Sequence, residues 1–314
     1  MEDLLFTANI VVPVFIIVAL GYLLRKKNLI NDNFVSLSSK IVFNVSLPVL
    51  IFVEIAKINL DVILDLRLIL FVYIGTLISF ILIWVLSIPF IKEGKDQSVF
   101  LQGSFRGNFA VVGLALIANL YGPEKLGKAS LVLAFTVPLY NVLAVIALTV
   151  PVRKERNMDM KKTMWEIVKN PLILGVLFAL PFSYFKIHIN DLILTTANYV
   201  AALALPLALL GIGGFLNFDD VKEGFRLTGI STIIKLIIIP LAAIIAAYNL
   251  GFIGDNLGII FILFGCPTAI ASFIMAEAMG VNSKLAGNIL LMTTVLSVFT
   301  IGFGLFILKQ NGLI

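Results

Sequence analysis

The chain has 314 residues, of which 60% are apolar and only 13% charged, with a formal net charge of +5. A soluble globular domain is nearer to roughly 45–50% apolar and 25% charged residues, so the composition excludes an ordinary soluble protein and indicates an all-α integral membrane protein. The basic residues lie in short segments between long apolar runs, where they signal membrane topology. We therefore predict no nucleic-acid partner.

The apolar runs predict ten transmembrane helices, since about 20 residues are needed to cross the hydrocarbon core. Because the start, MEDLL, is acidic and has no cleavage site, we expect no removed signal peptide and a permanent first span. Delimited by charge, glycine and asparagine, the spans lie near 5–25, 34–55, 66–91, 98–120, 129–152, 164–185, 191–216, 225–248, 257–279 and 286–308.

A polar segment that begins at Arg153, RKERNMDMKK, divides the spans into five and five. This division predicts a first five-helix repeat over 1–152, a cytoplasmic loop over 153–163 and a second five-helix repeat over 164–314. The loops after odd-numbered spans carry more lysine and arginine than the opposite loops. The bias predicts a multi-pass protein of the cell membrane with both termini on the extracellular side.

An odd number of spans per half means that the second half enters the membrane in the opposite sense, as in the inverted repeats of transporters. Internal spacing supports this interpretation, because one constant offset aligns several helix-breaking residues in equivalent spans. An offset of 158 residues pairs Pro13 with Pro171, Pro48 with Pro206, Gly107 with Gly265 and Gly122 with Gly280.

The fourth and ninth spans are predicted to be broken near the middle of the membrane. Glycine allows the dihedral angles of a break and proline removes a backbone donor, and such breaks are tolerated only against protein or a wet cavity. A simple kink is the alternative interpretation of each span taken alone. The residues concerned are Gly107 and Asn108 in SFRGNFAVVG, and Gly265, Cys266, Pro267 and Thr268 in FGCPTAIAS.

Two such breaks that cross would form a binding site for a carboxylate or another anion. Each break exposes the positive end of a half-helix, which favours anions. We expect Asn108 to cap one half-helix, and Cys266 or Thr268 to cap the other. Arg106 would add a full positive charge, although a side chain that snorkels to the interface is the alternative.

Four further polar residues within spans are candidates for the cavity or for ion coupling. Lys235 marks a pathway, a titrating group or a structural partner, and these readings stay open. Glu277 is the one acid near the predicted site that could titrate, or else it lies at the interface. Asn44 and Asn141 either line the cavity or join helices by hydrogen bonds.

Little in the sequence supports catalysis. Cys266 is the only cysteine, so an internal disulfide is excluded. His188 is the one histidine, and the sequence has no Gly-rich phosphate loop, zinc-ligand spacing or nucleophile elbow. We therefore predict no metal, no cofactor and no enzyme activity, with an intramembrane enzyme as a remote alternative.

Three segments resemble the auxin efflux carrier family, which includes plant PIN carriers and bacterial and archaeal dicarboxylate permeases. Arg106–Gly122, RGNFAVVGLALIANLYG, resembles the fourth helix of that family, and Gly265–Gly287, GCPTAIASFIMAEAMGVNSKLAG, resembles the ninth. Lys169–Gly175, KNPLILG, is similar to the opening of the sixth helix. The resemblance extends over all ten spans.

The resemblance implies the ten-helix fold shared with bile-acid sodium symporters. In that fold helices 1, 2, 6 and 7 form a scaffold, and helices 3–5 and 8–10 carry the crossover site in an elevator movement. Asn108 matches the asparagine that contacts the carboxylate of the cargo, and Pro267 matches the second crossover proline. The chain departs from the plant members at Gly107, Thr268 and Leu172, so auxin is not the expected cargo.

The leading hypothesis is a secondary transporter of a small organic anion, a carboxylate or dicarboxylate, in the lipid bilayer. Proton coupling or uncoupled transport is favoured, because the core offers few acids to hold Na⁺. A sodium-coupled organic-anion symporter is the alternative. Whether two copies of the chain form a homodimer is left open.

Overall fold

The computed structural model describes residues 2–57, 65–122, 125–152, 171–216 and 224–314. Within these ranges the chain is helical, and its one β interaction is an isolated two-residue bridge. The helical segments are α1 (Glu2–Lys26), α2 (Asp32–Ala56), α3 (Leu66–Ser87), α4 (Gly94–Phe105), α5 (Phe109–Tyr121), α6 (Leu126–Thr149), α7 (Pro171–Tyr184), α8 (Asp191–Phe215), α9 (Phe225–Asn249), α10 (Gly254–Gly265), α11 (Ile270–Ala278) and α12 (Ser283–Gln310).

Six of these helices, α2, α3, α6, α8, α9 and α12, are long and apolar enough to cross a membrane. Their surfaces suit lipid, as α12 illustrates: Phe299 and Phe303 are exposed, whereas Asn288 and Thr293 are buried. A soluble helix has the opposite arrangement, with its polar residues outside. The prediction of an all-helical protein with several membrane spans is confirmed.

Asparagine and aspartate begin several of the helices. Asp65 accepts a hydrogen bond from the Leu68 amide at 2.9 Å, Asn190 accepts one from Leu192 and Asn282 accepts one from Leu285, both at 3.0 Å. Each side chain satisfies a backbone N–H that has no partner within the helix. Polar residues between the apolar runs therefore determine where α3, α8 and α12 start.

The third span ends earlier than the sequence predicts. The predicted end is residue 91, but α3 ends at Ser87. Pro89 follows two residues later, and it has no backbone N–H to continue the hydrogen-bonding pattern of the helix. The boundary near 91 is therefore wrong by one helical turn.

Two helices widen into a π-helical turn just before a proline. The turns are Val42–Ser46 in α2, followed by Pro48, and Ile234–Ile238 in α9, followed by Pro240. A proline ring collides with the carbonyl four residues earlier, and the wider π-turn is one way of relieving that collision. These turns also rotate the side chains that they carry, Asn44 and Lys235.

The helices pack in two groups that contact each other. In the first group α8 packs against α1 and α2, and α2 packs against α7. Small residues allow this close approach: a Cβ added at Gly213 of α8 would collide with the Val18 carbonyl of α1, and one added at Gly175 of α7 would collide with the Pro48 carbonyl of α2. In the second group α4 packs against α3, α6, α9 and α12, and α12 also packs against α9, α10 and α11.

The predicted fourth and ninth spans are both interrupted, since 98–120 becomes α4 and α5, and 257–279 becomes α10 and α11. The simple kink that was the alternative for each span is therefore wrong. The sixth span, 164–185, is described only from Pro171 onward. The predicted loop 153–163 lies outside the described residues.

Candidate functional site

The site is formed by the two interruptions, in which the backbone leaves the helical conformation. After α4, Arg106 is extended, with φ −84° and ψ 111°, and Asn108 lies at φ −85° and ψ 53° before α5 begins. After α10, Cys266 is extended, with φ −56° and ψ 145°, and α11 begins at Ile270. Each interruption is therefore a non-helical segment of three to four residues between two half-helices.

The two interruptions contact each other as a short antiparallel bridge in which Gly107 lies opposite Thr268. The Asn108 amide donates to the Pro267 carbonyl at 2.7 Å, and the Ala269 amide donates to the Arg106 carbonyl at 3.3 Å. Backbone groups that a continuous helix would satisfy are thus satisfied across the crossover. The sequence-based prediction that the two breaks meet agrees with this contact.

Gly107 permits the close approach. A Cβ added at this position would lie 3.0 Å from the Leu263 carbonyl oxygen and 3.1 Å from Lys235 Nζ. Both distances are shorter than ordinary van der Waals contact. The glycine therefore leaves space beside α10 and α9 where a side chain would be crowded.

The carboxyl ends of α4 and α10 are each satisfied by a donor from another segment. The Thr268 hydroxyl donates to the Gly103 carbonyl of α4 at 2.7 Å, and Lys235 Nζ donates to the Phe264 carbonyl of α10 at 2.9 Å. The last carbonyls of a helix have no partner within it, and Thr268 and Lys235 are almost completely buried. These donors stabilise the broken ends in the interior of the protein.

Arg106 points into the protein. Its side chain is 8% exposed, with Nη2 donating to Asn141 Oδ1 at 2.9 Å and Nη1 lying 3.0 Å from Met275 Sδ. The alternative of snorkelling to the interface is therefore wrong. Among the described side chains, the hydrogen-bond partners of the guanidinium, Asn141 and Met275, are neutral.

Asn108 occupies the N-cap position of α5 but does not cap it. The structure gives no hydrogen bond from its side chain to the start of the helix, so the predicted capping role is wrong. α5 opens with a π-turn, in which the amides of Val112 and Gly113 both donate to the backbone carbonyl of Asn108. The carboxamide, on a residue that is 8% exposed, is thus not used by the helix.

Among the described hydrogen bonds, none joins the side chain of Thr268 or Cys266 to the start of α11. The Thr268 hydroxyl donates across the crossover to Gly103, and the Thr268 amide donates to Thr293 Oγ1 of α12 at 3.2 Å. Cys266 is fully buried beside the crossover. Both residues therefore belong to the packing of the crossover.

The four predicted cavity residues fall in different places. Lys235 reaches the crossover, and Asn141 reaches it through Arg106. Asn44 is exposed on α2 and donates to the Lys40 carbonyl of its own helix at 2.8 Å, so the structure does not bring it to the crossover. Glu277 lies in α11, but its side chain is outside the described part of the chain.

Sequence reasoning missed Gln102 and Met275. Gln102 Nε2 lies 3.7 Å from Met275 Sδ, the same sulfur that Arg106 contacts. Gln102 precedes Arg106 by four residues, a spacing that places two side chains on one helix face, so it could have been found. Met275 carries no such signal, because a methionine in an apolar helix is ordinary.

These features define a multi-pass, all-helical membrane protein whose interior contains two interrupted helices in contact. The chain belongs to the membrane transport protein family, which matches residues 6–162 and again residues 153–304. The resemblance to auxin efflux carriers is thereby confirmed at the level of the family.

Two archaeal relatives extend over almost the whole chain. An uncharacterized transporter of Methanothermobacter thermautotrophicus is 24% identical over 296 residues, which are 93% of this chain and 95% of the relative. An uncharacterized transporter of Methanocaldococcus jannaschii is 25% identical over 302 residues, which are 93% of this chain and 96% of the relative. Both names agree with the family.

Proposed function

We propose that the protein is a secondary transporter of a small organic anion, a carboxylate or dicarboxylate, and that the crossover binds this substrate. The observation that carries the proposal is Arg106, an arginine that is 8% exposed and hydrogen-bonded to neutral groups in the described structure. A charge in the membrane interior costs at least about 2.5–3.5 kcal/mol. An anionic substrate would supply a counter-charge.

The surrounding groups suit the same ligand. The Asn108 carboxamide can donate to a carboxylate oxygen, since the helix does not use it. α5 and α11 begin at the crossover, and the positive end of a helix stabilises an anion. An arginine fork and an amide donor are an ordinary pair of partners for one carboxylate.

We further propose that ten spans form two inverted repeats, 1–152 and 164–314. The repeated family match supports this proposal, because each match covers about one half of the chain. The interruptions at Gly107 and Gly265 are separated by the same offset as the paired prolines. An inverted repeat brings two half-helices together at the middle of the membrane.

For the transport movement we propose that α1, α2, α7 and α8 form a scaffold and that the remaining helices move as a unit. Contacts support this grouping, since α8 packs extensively on α1 and α2, whereas α4, α10 and α11 all pack on α12. The half-helix α5 contacts α1 and α8 and so lies at the boundary between the two units. An elevator movement would carry the whole crossover past the scaffold. We place the protein in the cell membrane with both termini outside, and a homodimer remains a further proposal.

A ligand screen followed by a transport assay tests the function. The purified protein is heated with mono- and dicarboxylates, and an acid that binds the folded state raises the melting temperature. That acid is then offered to proteoliposomes as a radiolabelled substrate. Failure of every acid to stabilise the protein or enter the vesicles would contradict the proposal.

A further inference from the structure

Met275 of α11 lies where two donors from α4 converge. Arg106 Nη1 is 3.0 Å from Met275 Sδ, and Gln102 Nε2 is 3.7 Å from the same sulfur. Gln102 is 1% exposed and Arg106 is 8% exposed. One sulfur atom therefore faces both an amide donor and a charged donor in the interior of the protein.

A thioether is a poor partner for these donors. Its sulfur is only a weak hydrogen-bond acceptor, whereas a carboxylate oxygen accepts strong, charge-assisted hydrogen bonds from a guanidinium. A buried donor with a weak partner also recovers little of the cost of leaving water. A carboxylate oxygen at the position of Met275 Sδ would therefore bind Arg106 and Gln102 more strongly than the sulfur does.

A buried hydroxyl lies on the same side of α11. Ser272 precedes Met275 by three residues, a spacing that places two side chains on one helix face. The serine is 4% exposed, and among the described residues its Oγ has no hydrogen-bond partner. A buried hydroxyl is stabilised when it gains a partner, so Ser272 adds a third donor beside Met275.

We propose that Met275 competes with the substrate carboxylate for Arg106 and Gln102, and that substrate binding requires the thioether to move aside. The inference rests on the proposed transport function and deepens it, because it assigns the residue that limits affinity for the carboxylate. In the bound state the carboxylate accepts hydrogen bonds from Arg106 Nη1, Gln102 Nε2 and the Ser272 hydroxyl. Met275 is thus a residue that determines specificity without itself binding the acid.

Methionine suits this role because its side chain is unbranched and adapts easily to its surroundings. Met275 is only partly buried, and it lies in Ile270–Ala278, the half-helix that follows the second interruption. The thioether can therefore leave the two donors by rotation about its own bonds, while the backbone of the crossover stays in place.

Two substitutions at residue 275 test the competition in opposite directions. Met275→Leu removes the sulfur at similar volume, and Met275→Gln supplies a stronger neutral acceptor. The probe is sodium formate, the smallest carboxylate, compared with sodium chloride at equal ionic strength in detergent. Formate affinity is taken from the melting temperature over a range of formate concentrations. Relative to the wild type, we expect it to be about fivefold higher for leucine and about fivefold lower for glutamine.

Met292→Leu is the matched control, since Met292 is a partly buried methionine of α12 that packs against the apolar core. Exchange of methionine for leucine is well tolerated in a core, so we expect both leucine variants to fold, and Met292→Leu to bind formate like the wild type. Equal formate affinity in Met275→Leu, Met275→Gln and the wild type would assign the sulfur a structural role only and overturn the inference. Failure of formate to stabilise Met275→Leu would overturn it as well.

Ser272→Ala tests the third donor. Because the Ser272 hydroxyl has no hydrogen bond to lose within the described part of the chain, we expect the melting temperature in chloride to be unchanged or higher, while formate affinity falls. Ser297→Ala is the control, since buried Ser297 donates to the Thr294 carbonyl of its own helix and should keep wild-type formate affinity. Unchanged formate affinity in Ser272→Ala would overturn the placement of the carboxylate on this face of α11.

These measurements need no transport. A protein that binds formate in the expected order but takes up no organic acid would contradict the proposed function and support this inference. Uptake of an organic acid by variants whose formate affinity does not depend on residue 275 would contradict this inference alone.

Discussion

Gly107 and Thr268 face each other in the antiparallel bridge that joins the two interrupted helices. The glycine leaves space beside Leu263 and Lys235, and the threonine satisfies the carboxyl end of α4 through the Gly103 carbonyl. Gly107 therefore supplies the space at this contact and Thr268 supplies a hydrogen bond, so the two contributions can be tested separately.

Replacement of Gly107 should disrupt the crossover in proportion to side-chain size. Gly107→Ala places a Cβ 3.0 Å from a backbone oxygen, and Gly107→Val adds two more carbons. We expect a moderate loss of uptake and of melting temperature for alanine, and near-complete loss for valine, because overpacking costs about 1–3 kcal/mol. Gly229→Ala is the control, since no atom lies within 4 Å of its added Cβ.

Thr268→Val should destabilise the protein. The substitution removes the donor to Gly103 and leaves a buried carbonyl unsatisfied, at a cost of about 1–3 kcal/mol. Thr196→Val is the control, because Thr196 is exposed and its hydroxyl donates to a carbonyl of its own helix. Equal melting temperatures for the two variants would show that the Gly103 contact contributes nothing.

Asn108→Ala should abolish uptake of the stabilising acid while leaving the protein folded. The side chain does not cap α5, so we expect a much smaller effect on stability than the approximately 1 kcal/mol that loss of a helix cap causes. Uptake into proteoliposomes and thermal melting are measured on the same preparation. Normal uptake by the folded variant would remove Asn108 from the site.

Arg106→Gln should weaken binding of the acid by about tenfold or more, since a hydrogen bond to a charged group contributes about 1.5–3 kcal/mol. Arg106→Lys keeps the charge but loses the fork, and should fall between glutamine and the wild type. Binding is measured from the shift in melting temperature over a range of acid concentrations. Equal affinity in all three proteins would contradict a direct contact.

Asn141→Asp should inhibit binding without removing any cation. The new carboxylate would lie beside the Arg106 guanidinium, whose Nη2 is 2.9 Å from Asn141 Oδ1, and would compete with the substrate for its charge. Asn198→Asp is the matched control, because exposed Asn198 accepts a hydrogen bond from Lys57. We expect weakened binding only for the change at residue 141, and the same affinity in both variants would argue against Arg106 as the anion's partner.

The sequence predicted the fold class and the place of both interruptions, but it did not predict the roles of the polar side chains. Gly107, Asn108 and Pro267 are visible as helix-breaking residues in apolar runs. Asn108 was nevertheless expected to cap α5, and its side chain makes no hydrogen bond to the start of that helix. Asn44 was grouped with the cavity, although it is exposed and bonds to its own helix.

By itself the sequence determined the membrane class, most span positions and the two breaks, because hydropathy, glycine and proline act locally along the chain. Only the tertiary structure decided that Lys235 reaches the end of α10 and that Arg106 turns inward to Asn141 and Met275. The physical reason is that a helix apolar on every side carries no pattern that sets its rotation. The directions of its few polar side chains are decided by packing against helices that are distant in sequence.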